Sequence, residues 1–260
     1  MQRSVLCSVF GSAFGSLLLL PALAQAQSAA TASTPDLNGI WQAMNTANWE
    51  LEAHAAEAGP IASLGALLAV PAGVAYVVEG NIPYLPAALE KRQANRLQRW
   101  TADPEIKCYM PGVPRANYLP YPFQIVQGAD TILMSYEFAD AVRTVHMQDP
   151  GPAPAKSWMG WNVGHWEGNS LVVEITDQNN QTWLDRSGNF HSDKLHVTER
   201  YTPMGSDMLL YEATLTDPEV FAAAWTIRMP LYRRKEANAQ LIEFKCIPFA
   251  ESVLYDAIGR

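Results

Sequence analysis

From Tyr121 onward the chain is written in short runs of alternating apolar and polar residues, divided by links of two or three turn-forming residues. Alternation at a period of two fits a strand with one face buried, and links this short join antiparallel neighbours. The runs fall near 122–128, 131–138, 141–147, 158–166, 169–177, 194–203, 207–216, 225–234 and 239–246, with dividers such as Gly128-Ala129-Asp130, Glu167-Gly168-Asn169 and Met204-Gly205-Ser206. No helical period intervenes to carry a parallel crossover. Eight or nine meandering strands must hide their edges, and closure into a barrel does so. The expectation is a mainly β, antiparallel barrel over 121–260.

Residues 35–120 are expected to pack on that barrel. Asp36 to Gln42 reads as a short opening strand. Thr46 to Ala58 reads as a helix, with Asn45 able to cap it and Gly59-Pro60 to stop it. Ile61 to Val78 is apolar, but Pro71, Gly65 and Gly73 argue against a membrane-spanning helix and favour a lid or a cover for one end of the domain. Pro86 to Trp100 reads as a second helix whose Lys91, Arg92, Arg96 and Arg99 suit a solvated face. A proline-studded connector, 104–122, leads into the barrel.

Residues 1–26 have the form of a secretory signal: Arg3, the apolar run Val5 to Leu20, and small residues that allow cleavage after Ala24 or Ala26. Residues 27–34 are then expected to be a loose, flexible start, and the mature protein to be periplasmic or secreted. Cys7 leaves with the signal, so the mature chain keeps Cys108 and Cys246. In an oxidising compartment these are most simply one disulfide, with two separate buried thiols as the alternative.

Composition narrows the partners. The chain carries 18 basic against 26 acidic residues, a net charge of −8, which gives no electrostatic footprint for nucleic acid. With 48% hydrophobic residues there is ample material for a core.

Two resemblances add to this. Gly39-Ile40-Trp41 resembles the Gly-x-Trp opening of lipocalin-like barrels, in which the Trp closes one end; Arg228, Arg233 and Arg234 are each available to stack on it. A wider resemblance covers nearly the whole mature chain. Cys108 to Arg115, Tyr121 to Gln127, Trp158-Met159-Gly160, Gly164-His165-Trp166-Glu167-Gly168 and His191 to Tyr201 are similar to stretches of an uncharacterised family of exported bacterial proteins, with His165 where that family would carry Arg. Together the two imply a lipocalin-like (calycin-type) β-barrel with an N-terminal helical extension, and no particular activity.

Chemistry concentrates between Asn180 and Tyr201. If 194–203 is extended, His196, Thr198 and Arg200 share one face, with Val197, Glu199 and Tyr201 on the other. Val142, Thr144 and His146 share a face opposite Arg143, and Tyr136 lies with Ile132 and Met134. A barrel lined by Met, Phe, Trp and Tyr suits a small apolar or aromatic molecule, for which Trp161, Trp166, Trp183 and His146 are the candidate contacts. Turnover by metal-independent acid–base chemistry (elimination, hydration or isomerisation) would use His196 or His191 to move the proton. Asp185 or Glu199 would orient that histidine, and Tyr136 or Arg200 would stabilise negative charge. A non-catalytic binding protein, or an envelope protein docking through Ile61–Val78, fits the same residues. No phosphate loop, dinucleotide fingerprint, nucleophile elbow, haem motif or HExxH spacing is present, so no cofactor or metal is expected.

Overall fold

A computed structural model describes residues 34–61, 63, 65–66, 69–248 and 250. The export signal, its cleavage positions and nearly all of 27–34 lie outside the described residues. Nine strands close into a barrel in chain order: β1 (Gly39–Gln42), β2 (Phe123–Gln127), β3 (Thr131–Tyr136), β4 (Val142–His146), β5 (Trp161–Glu167), β6 (Ser170–Thr176), β7 (His196–Pro203), β8 (Met208–Thr216) and β9 (Trp225–Arg233). Alternation decides the inner face, as in β8, where Leu209, Tyr211, Ala213 and Leu215 are buried and the residues between them are not.

Closure depends on a strand of only four residues. β1 pairs with β2 through Trp41↔Phe123 and with β9 through Trp41↔Arg233. The rest of the β9 edge is taken by the 76–78 segment, where Val78 N–H donates to Thr226 O at 2.9 Å and Arg228 N–H donates to Tyr76 O at 2.9 Å. The apolar segment therefore seals a strand edge, with Val77 buried. Its earlier part folds back on 54–57, pairing Gly73 with His54 and Val70 with Glu57. Among the described residues no helix is long and apolar enough to cross a membrane.

Trp41 plugs one end. Its indole N–H donates to Leu37 O at 2.9 Å, and the Arg233 guanidinium sits 4.3 Å from the ring centroid. Of the three arginines open to this role, Arg228 instead pairs with Glu212 and Arg234 with Glu236. Gly39, at φ +142°, is required here: a Cβ would overlap the Arg233 guanidinium.

Several expectations are corrected. The 46–58 stretch makes one turn and no helix. Asn45 does accept from Ala47 N–H, and Trp49 and Glu50 N–H reach Thr46 O, but Leu51 N–H goes to the Asp185 carboxylate and His54 N–H to Gly73 O. Tertiary acceptors take the donors that a helix needs. Two α-helices, α1 (Pro86–Leu97) and α2 (Arg99–Ala102), lie between β1 and β2. The basic cluster on α1 and the start of α2 is no solvated face: Arg92 and Arg96 pair with Glu50, Arg99 pairs with Glu57, and Lys91 lies over Phe190. Residues 239–246 form no strand: the barrel has already closed through β1 and β9.

One pairing is parallel. β4 meets β5 only at Val145↔Asn162 and His146↔Val163, after the long 147–160 connection. The C-terminal segment beyond β9 is held by the Cys108–Cys246 disulfide, Cα–Cα 5.6 Å, and by Phe244 packed on Tyr121 and Phe138.

Candidate functional site: a groove at the β4–β5 seam

The barrel interior holds a closed polar network. Glu199, from β7, receives Arg143 Nη2 at 2.6 Å and Tyr201 Oη at 3.1 Å on one oxygen, and Asn117 Nδ2 and Tyr211 Oη at 2.6 Å each on the other. Tyr136 donates to Asn117 Oδ1 at 2.9 Å, and Arg143 Nη1 donates to Asn162 Oδ1 at 3.1 Å. Burial opposes the Arg143 charge, but Glu199 overrides it and holds the guanidinium protonated, well above its ordinary value. Burial likewise pushes the Tyr136, Tyr201 and Tyr211 phenols upward, which removes them as bases. The four acceptor positions of Glu199 are filled by its protein neighbours, so the network braces the lumen.

The sequence groups Glu199 with Val197 and Tyr201, and Tyr136 with Ile132 and Met134, without saying which face turns inward. Both faces turn inward here, and Arg143, Asn117 and Tyr211 join them as partners the sequence reading did not include. The signal for Arg143 was available: it shares the inward face with Val145, and Glu199 shares one with Val197 and Tyr201. A charge on each of two apolar faces calls for a pair.

His196 and Arg200 point the opposite way. His196 pairs with Glu174 at 2.9 Å and Arg200 with Glu167, and both remain substantially exposed on the outer wall. The same strand thus sends Glu199 into the lumen and its two neighbours in the candidate list outward.

His191 and Asp185 occupy two further buried places. The His191 Nδ1–H donates to Ser192 O at 2.8 Å, leaving Nε2 to accept from Thr182 Oγ1 at 2.7 Å. Burial lowers its pKa. The Asp185 carboxylate accepts from Ser187 N–H (2.9 Å), Asn189 N–H (3.2 Å), Leu51 N–H (2.9 Å) and Asn189 Nδ2 (2.6 Å). Even so, burial dominates and pushes its pKa up to about 6. This carboxylate organises the 185–189 turn and ties it to Leu51. Close by, Arg115 is sandwiched between Asp103 (2.8 Å) and Glu105 (2.6 Å). Glu105 is fully buried, but Arg186 and Arg115 outweigh that burial and draw its pKa down to about 2.

The structure does bring two of the candidates together. The His146 and Trp161 rings lie with centroids 4.7 Å apart, tilted by 40°. They border an open groove of about 320 Å³, lined also by Val142, Thr144, Ser157 and Met159, within the range of small-ligand sites. The groove follows from the topology: β4 and β5 pair at only two positions, so Val142 to Thr144 has no partner residue in β5 and the wall splays. Trp161 is anchored by its Nε1–H, which donates to Gly151 O at 3.0 Å. Trp166 and Trp183 are partly buried against the main core. Among the described residues no group of three His, Cys, Asp or Glu converges as a metal site.

The fold and the groove define a closed β-barrel with an aromatic shelf on its outer wall. Comparison with protein-family models, with curated proteins and with solved structures finds no match.

Proposed function

We propose that this is an exported, lipocalin-like barrel that binds a small planar aromatic molecule in the β4–β5 groove and does not turn it over. The observation that carries the reading is the His146–Trp161 shelf bordering a groove of about 320 Å³. An aromatic ligand extends the ring stack, and the aliphatic and thioether side chains opposite desolvate it. The lipocalin-like assignment rests on Trp41 beneath Arg233 and on the strand order. Export rests on the residue pattern of 1–26 and is compatible with the disulfide. Binding is favoured over turnover because His196 and Arg200, Glu199 and Tyr136, His191, and Asp185 stand in separate places. Each has its own protein partner, so no proton relay links them.

The test is a titration of the protein with planar aromatic fragments, followed through the Trp indole and His imidazole NMR signals. The Trp161 and His146 signals should move together, and Trp161→Ala should abolish the shifts while the rest of the spectrum stays folded. Fragments that bind equally well to Trp161→Ala would overturn the reading.

A further inference from the structure

We infer that the molecule taken by the groove is an aromatic acid, its ring lying along Trp161 and its carboxylate held by His146 and Thr144. The inference rests on the groove being the binding site. It comes from which polar groups the groove leaves unused and which charges it leaves out.

β4 turns Val142, Thr144 and His146 outward in one row. Residues two apart on a strand stand about 7 Å apart, close enough for both side chains to reach one carboxylate. Neither the Thr144 hydroxyl nor the ring nitrogens of His146 have a hydrogen-bond partner among the described residues, whereas the neighbouring polar groups do. Ser157 Oγ donates to Gly160 O at 3.2 Å, and Asn162 Nδ2 donates to Met159 O at 3.0 Å. Two unused donors therefore project beside an aromatic face.

Charge points the same way. The protein has 26 acidic residues and a net charge of −8, yet no Asp or Glu lines the groove. The acid nearest its walls in sequence on the 147–160 connection, Asp149, accepts from Gly151 N–H at 2.8 Å, and Asp140, two residues before Val142, is not among the lining residues. A carboxylate ligand would be repelled over most of this surface and is admitted here, where two donors can hold it and Val142, Met159 and Pro154 cover its ring.

The probes are 2-naphthoate and its neutral isostere 2-naphthamide, each titrated at millimolar concentration against the intact protein. The result expected is naphthoate at least about tenfold tighter than the amide, with the His146 and Trp161 signals shifting, and His146→Leu reducing naphthoate to the level of the amide. Thr144→Val, which keeps the shape of the strand, should cost a smaller part of the same preference. Equal affinity for acid and amide at the groove would overturn the acid assignment and leave the groove reading standing. Shifts confined to other residues, or none with either probe, would overturn both.

Discussion

Arg143 and Glu199 meet inside the barrel at 2.6 Å, with neither side chain exposed at all. They come from β4 and β7, which are not neighbours in the barrel, so the ion pair spans the lumen and fixes the spacing of opposite walls. Removing one partner leaves the other charge buried. Arg143→Met should destabilise the fold by about 3–5 kcal/mol. Combined with Glu199→Gln it should cost at least about 1 kcal/mol less than the sum of the singles. Chemical denaturation of the four proteins measures this; strict additivity would show that the pair is not coupled.

Asp185 makes stability depend on pH in an unusual direction. Its folded pKa is raised from 3.8 to about 6, so between those values the folded state binds more protons than the unfolded chain. Stability therefore falls as pH rises through that window, by up to about 3 kcal/mol for this one group. His191, lowered by burial, acts oppositely: its contribution is lost as pH falls below the ordinary imidazole range. The two overlap, so the measurement is the difference between the wild type and Asp185→Asn at pH 4 and pH 7. Asparagine removes the titration, and it also turns an amide donor toward N–H groups that had an acceptor, which costs about 1–3 kcal/mol for each group left unsatisfied. The gap between the two proteins should be wider at pH 4; a gap independent of pH would refute the assignment.

Gly39 and Arg233 form the third test. Arg233→Met should cost about 0.5–2 kcal/mol by removing the cation from the Trp41 ring. Gly39→Ala should cost at least as much, because its Cβ displaces the same guanidinium and its φ of +142° is one that side chains avoid. Thermal melts of both variants and of the double variant would show the loss to be shared. Independent losses would mean that the glycine serves backbone geometry alone.

The barrel was legible because alternation is local: Leu209, Tyr211, Ala213 and Leu215 announce their common face within one strand. What was illegible depended on partners distant in the chain. Nothing within 46–58 reveals that Leu51 N–H will find Asp185, and nothing within 239–246 reveals that nine earlier strands already close the barrel. The groove was legible in its residues and illegible in its shape. His146 and Trp161 were candidates as aromatic contacts, but only the parallel register of β4 and β5 puts them side by side. The turnover residues failed to assemble for an elementary reason: Glu199 is flanked by residues of opposite parity, so His196 and Arg200 could never share its side of the sheet.

The Cys108–Cys246 bond closes a loop of 138 residues that contains every strand from β2 to β9. Any peptide bond in that stretch can be cut without releasing a fragment. A nicked molecule keeps its mass apart from one added water and stays a single covalent body until the disulfide is reduced. Damage to a loop in that stretch becomes a local, survivable event instead of the loss of a wall.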